Sequence, residues 1–187
     1  MKNGWVAGLA LAFVLLAGCS TVVTQTSYDT LFRAGVRSEF AFGASGGVMP
    51  VIVVGNPFPP LPAADVAQAV VDAVQGNVPG TGVRFALASA QEVPSGYAVV
   101  VLLDASPGTS ANLLCGRRAD FPTPGSWRGA SVLIAFCGNA DARSWAFSSS
   151  GSVDSPDDPL FRRLIARTTF AMLPPRDDQR GRGNSIM

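Results

Sequence analysis

Thiols are the most reactive groups in this chain, and there are three: Cys19, Cys115 and Cys137. A thiol can be alkylated, can oxidise to a disulfide or, as a thiolate, can act as nucleophile or metal ligand. The groups that usually activate it are missing. The 187 residues contain no His, and Lys2 is the single Lys. Without imidazole the chain lacks the common general base of Ser and Cys hydrolases and the commonest metal ligand. Without a further Lys it lacks the amine of Schiff-base and P-loop chemistry. Carboxylates remain. Asp104, Asp120 and Asp141 lie between apolar runs, and an acid–base enzyme would have to bring two of them together in a cleft. Asp65 and Asp72 are separated by about 10 Å of helical rise, too far to share a proton. The expectation is therefore no enzyme activity, no cofactor and no metal.

Cys19 has a context of its own. Lys2 is followed by the apolar run Gly4–Ala17, too short to span a bilayer, which needs about 20 residues. The run ends in small residues, as a secretory signal peptide does. Its end, Leu16-Ala17-Gly18-Cys19, resembles the lipobox of bacterial lipoproteins. The resemblance covers residues 1–20. It implies that Cys19 receives a diacylglyceryl group, that cleavage occurs before it, and that the freed amine is acylated in Gram-negative bacteria. Stable attachment needs two anchoring signals, which two or three acyl chains on one residue supply. An Asp after the cysteine would favour retention in the inner membrane. Ser20 stands there, so the resemblance implies an outer-membrane, periplasm-facing location in the cell envelope.

Removing residues 1–18 removes Lys2 and leaves thirteen Arg against thirteen Asp plus Glu. A chain of zero net charge does not read as a nucleic-acid binder, which needs a basic excess. In an oxidising compartment Cys115 and Cys137 form an even pair and are expected to bond. A redox role would favour a Cys-x-x-Cys spacing that they do not have.

The elements that would carry these residues follow from periodicity. Ser20–Thr26 is small and polar, and residues 19–27 read as a lipidated tether. Tyr28–Gly35 reads as a helical turn. Arg37–Phe42 alternates weakly around Phe40 and Phe42, as a strand does, and Gly43–Gly47 reads as a flexible turn. Val48–Val54 is a buried strand, with Pro50 placing its first residues at an edge or at the strand start. The Pro-rich Asn56–Pro62 is a stiff connector into a helix over Ala63–Gln75, stopped by Gly76. Strands follow at Val83–Ala88, Tyr97–Leu103, Ser131–Cys137 and Ala142–Ser149, the last two as a hairpin and Tyr97–Leu103 central. Cys115 and the pair Arg117-Arg118 fall in a loop. The end of the central strand, with Asp104, resembles the nucleophile position of haloacid-dehalogenase-like phosphatases. Ser106 replaces that family's second Asp, and the residues read as a turn. A last helix runs Leu160–Leu173, with Asp158 as N-cap and Pro159 at N1. The tail 176–187 is too polar to pack.

This order predicts an α+β fold: a mostly antiparallel sheet of four to five strands with two helices packed on one face, as a single domain over 28–175. Arg162, Arg163 and Arg167 on the last helix are candidate binding residues. With Arg117, Arg118 and Arg128 they would make one basic patch for anionic lipid or peptidoglycan; the alternative is a solvated helix face and scattered loop charges balanced by acids. The expected function is a non-enzymatic, membrane-anchored envelope accessory or assembly factor that binds another envelope protein or the cell wall. A periplasmic carrier of lipid or another small ligand is the alternative. It predicts an open apolar pocket between sheet and helices.

Overall fold

A computed structural model of the chain describes residues 22–28, 33–93, 96–118, 121 and 130–173. Within them lie six strands, β1 (Val23–Tyr28), β2 (Val48–Val54), β3 (Arg84–Leu87), β4 (Tyr97–Leu103), β5 (Ala130–Gly138) and β6 (Asp141–Ser150). Four helices accompany them: α1 (Arg33–Gly43), α2 (Ala63–Val74), α3 (Ala111–Arg117) and α4 (Pro159–Met172). The class is α+β. The sheet has six strands in the order β1-β6-β5-β4-β2-β3 and is mixed. β2 is parallel to both β3 and β4, and the remaining pairs are antiparallel.

The extra strand and the parallel pairs correct the sequence expectation. Val23–Tyr28, assigned in part to the tether, pairs along β6 from Val23↔Ser149 to Tyr28↔Ser144. The run β2–α2–β3 is a parallel βαβ unit, the connection that parallel neighbours require. Residues 48–50 pair with β3 alone, and β4 joins at Val51, so Pro50 interrupts no ladder on its second side.

Two further stretches are helical where the sequence suggested otherwise. Arg37–Phe42 belongs to α1. Val36, Phe40 and Ala44 are four residues apart and buried, whereas Phe42 is 70% exposed, so the period is helical. α1 closes against the sheet at Gly43, where a Cβ would lie 2.6 Å from the Tyr97 Cβ. The 111–117 stretch is α3 and not loop, opened by Ser110, whose side chain accepts from Leu113 N at 3.3 Å.

Other signals hold as read. Asp158 caps α4 by accepting from Leu160 N at 2.7 Å, with Pro159 behind it. Gly76 follows α2 with φ +72, the left-handed conformation that glycine adopts without penalty. The β5–β6 hairpin turns through Asn139 and Ala140. β4 is buried on both faces. Val99, Val101 and Leu103 pack with α1, α2 and α4 on one side, and Ala98, Val100 and Leu102 with α3 on the other. The two predicted helices do share a face, and α1 joins them there. Phe40, Phe136, Met49, Ile134 and Ile165 fill that side with no exposed area.

Candidate functional site

Among the described residues one short helix, α3, packs on the second face, and a groove lies open beside it. α3 packs against β4, β5 and β6. Beside its first turn the groove opens over residues of β6 and β1. Alternation in β6 sends Trp145 and Phe147 to this side, and a register irregularity after Phe136 shifts the strand so that Ala142 and Trp145 both join the second cluster. Gln25 of β1 stands opposite Phe147. The wall is Gly108, Thr109, Ser110 and Asn112 at the start of α3. Asn112 fixes that wall by accepting from Ala142 N at 2.9 Å. The result is an open groove of about 460 Å³.

The groove's lining is aromatic and neutral-polar: a half-buried indole, a phenyl edge, hydroxyls and two carboxamides. Among the described lining residues Arg143 is the one that is charged, and its Nε lies 3.5 Å from Glu39 Oε2. None of the described lining residues is a carboxylate. Such a surface can stack and hydrogen-bond a ligand, and it supplies no acid–base pair.

A smaller cavity of about 220 Å³ lies where β4 ends, between Phe58, Phe161, Val153 and Asp104. Asp104 sits there with φ +58 and donates its N–H to Ser131 O at 2.9 Å. Asp141 opens β6 at the far end of the sheet, since Leu103 pairs with Val132 while Tyr97 and Asp141 both pair with Gly138. Six strand residues separate the two levels, about 20 Å. Asp104 and Asp141 do not converge, and Asp120 lies outside the described residues.

The basic residues also separate. Arg162, Arg163 and Arg167 are exposed on α4, on the first face of the sheet, and Arg162 Nη2 meets Asp157 Oδ1 at 2.8 Å. Arg117 is exposed on α3, on the second face. Arg118 is not a surface group. It is 4% exposed and donates to four backbone carbonyls: Cys115 O at 3.2 Å, Val93 O at 2.7 Å, Gly96 O at 2.9 Å and Asn139 O at 2.6 Å. Burial lowers its pKa from the ordinary guanidinium value. The single basic patch does not form, because α3 and α4 lie on opposite faces and Arg118 is spent inside. Arg128 is outside the described residues.

Cys115 and Cys137 form a disulfide, both buried, with Cα atoms 5.6 Å apart. It joins α3 to β5 beside Arg118. Cys19, residues 1–18, which were expected to be a signal peptide, and the tail 176–187 lie outside the described residues. Sequence reasoning missed the groove and the Arg118 anchor. The alternation of Trp145 and Phe147 with Ser144, Ala146 and Ser148 was the available signal for the first; nothing local marked the second.

Among the described residues no group of three or more His, Cys, Asp or Glu could hold a metal ion, and no helix is long and apolar enough to cross a membrane. The space between the sheet and α1, α2 and α4, where a lipid carrier would hold its ligand, is occupied by core side chains. No protein family and no curated protein matches the chain. Among solved structures it is similar to the PelC dodecamer from Paraburkholderia phytofirmans, at 11% identity and a TM-score of 0.45, over 83% of this chain and 100% of that one. A substituted form of the same PelC, in a second crystal form, gives 11% identity and a TM-score of 0.43 over the same shares.

Proposed function

We propose that this chain is a lipid-anchored, non-enzymatic protein of the cell envelope, held at the outer membrane through Cys19 and facing the periplasm. Its work is binding: it is an accessory or assembly factor that engages another envelope protein or the cell wall. The observation that carries this reading is the groove beside α3, whose Trp145, Phe147, Gln25 and Asn112 offer stacking and hydrogen bonds without a titratable pair. The exposed Arg162, Arg163 and Arg167 on α4 offer a second contact surface for an anionic partner.

Crosslinking in intact cells, followed by mass spectrometry, tests the proposal. A photo-crosslinker at Gln25 or Thr109 should recover a defined envelope protein or glycan, and Trp145→Ala should abolish that product. A chain recovered alone from both positions, in cells whose envelope is unchanged by its deletion, would overturn it.

A further inference from the structure

The surface that faces the membrane can be read from where the sheet begins, given the anchored reading just proposed. Val23, the first residue of β1, follows Cys19 by four positions. Four residues reach at most about 14 Å when fully extended. An acylated Cys19 therefore holds the start of β1 within that distance of the lipid. Register identifies what else lies at that end. Val23 pairs with Ser149, Ser150 with Ala130, and Leu103 with Val132. β2 runs parallel to β4, so β2 also ends there, followed by the connector to α2. This end carries the β2–α2 connector, Asp104 and loop 151–158. The hairpin turn at Asn139 and Ala140 lies at the opposite end, roughly 25 Å away along the strands.

The connector is apolar and exposed. Pro59, Pro60, Leu61, Pro62, Ala63 and Ala64 form a run of six exposed residues without a charge. An exposed apolar patch of this kind marks an interaction surface. The run is also held in shape. Phe58 is 8% exposed and packs edge-on against Phe161, with ring centres 5.2 Å apart. Asn56 clamps the turn, donating from Nδ2 to Leu61 O at 2.7 Å and accepting from Phe58 N at 3.0 Å. Phe58 points in and Leu61 is left outside, 40% exposed. In the sheet order three strands separate β1 from β2, a lateral span of about 19 Å. An anchor on one side and an apolar ridge on the other fit two contacts with one flat surface.

We propose that Pro59–Ala64 is a second membrane contact, resting in the head-group layer of the bilayer that holds the acyl chains of Cys19. The domain then stands with its β2 and β4 ends toward the lipid and the Asn139 turn away from it. Charge attraction is not the source of this contact. Asp154, Asp157 and Asp158 lie in the loop at the same end and outnumber the neighbouring Arg162 and Arg163. The occupant is a lipid surface of any head-group charge.

The test uses the lipidated full chain in phosphatidylcholine–phosphatidylethanolamine vesicles that contain a nitroxide head-group lipid. A fluorophore is placed at Leu61→Cys, at Ala64→Cys or at Ala140→Cys, all exposed positions, whereas both cysteines of the disulfide are buried. Quenching at 61 and 64 should exceed that at 140 by roughly twofold or more, as expected for groups held within the interface, about 5–10 Å deep. Vesicle-bound protein with equal quenching at all three positions, or stronger quenching at 140, overturns the orientation and leaves the anchor standing. A chain that carries no acyl group and does not float with vesicles overturns the anchored reading and this contact with it.

Discussion

Arg118 is a cation inside the protein with carbonyl oxygens for partners. Among the described residues no carboxylate pairs with it, and its four acceptors come from three separate places: the end of α3, Val93 and Gly96 ahead of β4, and the hairpin at Asn139. Its position at the carboxyl end of α3 places the charge against the negative end of the helix dipole. Only the guanidinium fork carries enough fixed donors for this, because a lysine is a compact point charge. Replacing Arg118 by Met should cost about 3 kcal/mol, since several buried carbonyls lose their donor. Arg118→Lys should recover less than half of that, read from urea midpoints at unchanged m-value. Glu92 is a milder case at the surface. Its Oε2 accepts from Ser89 N at 2.6 Å and its own N–H donates to Ser89 Oγ at 3.2 Å, a reciprocal capping pair on the turn that feeds β4. The backbone hydrogen bond from Ser89 lowers the Glu92 pKa. A depressed folded-state pKa contributes stability at neutral pH that disappears as pH falls through the folded value. Wild type should therefore unfold at higher urea than Glu92→Gln at neutral pH, with the difference vanishing in acid.

Elements were legible where one period dominated. β2, β4 and the β5–β6 hairpin are unbroken apolar or alternating runs between turn residues, and α4 carries its own cap. α1 was misread because Phe40 and Phe42 suggest a period of two, while the competing Val36–Phe40–Ala44 spacing has smaller side chains and a glycine after it. α3 spans seven residues, too few for periodicity to decide. The edge strand β3 was legible, but its protection was not. Gln75 reaches back from the end of α2, accepting from Phe85 N at 3.1 Å and donating to Phe85 O at 2.6 Å. A side-chain amide thus stands in for the missing neighbour strand and blunts an edge that would otherwise invite pairing. Gln75→Ala should cost about 1–2 kcal/mol, leaving two backbone groups of β3 without their protein partner. Hydrogen exchange should show the loss at the Phe85 amide first, with β4 and β5 unaffected below global unfolding.

At the scale of the whole molecule, the two faces of the sheet are unequal, and the inequality explains the candidate site. Three helices bury one face. On the other, α3 is the one helix among the described residues, held by the disulfide and by Arg118, and the groove lies beside it over residues of β6 and β1. The sequence predicted two helices packed on one face. It could not predict the groove, because that depends on β1 adding a strand beside β6 and on α3 stopping short of it, both products of tertiary pairing. A residue placed for folding and a residue placed for binding should then respond differently to truncation. Phe136 has no exposed area and lies between Phe40 and Tyr97, with ring centres 5.1 and 5.7 Å away. Phe136→Ala should cost about 3–5 kcal/mol, the range for deleting a fully packed aromatic ring. Trp145 is half-buried on an open floor. Its truncation leaves no enclosed cavity, so Trp145→Ala should cost about 1 kcal/mol. Urea unfolding of the two variants separates them, and crosslinking at Thr109 completes the comparison: Trp145→Ala loses the partner while folded. Equal destabilisation of both variants, with crosslinking retained in Trp145→Ala, would make the indole a core residue and remove the groove as the binding surface.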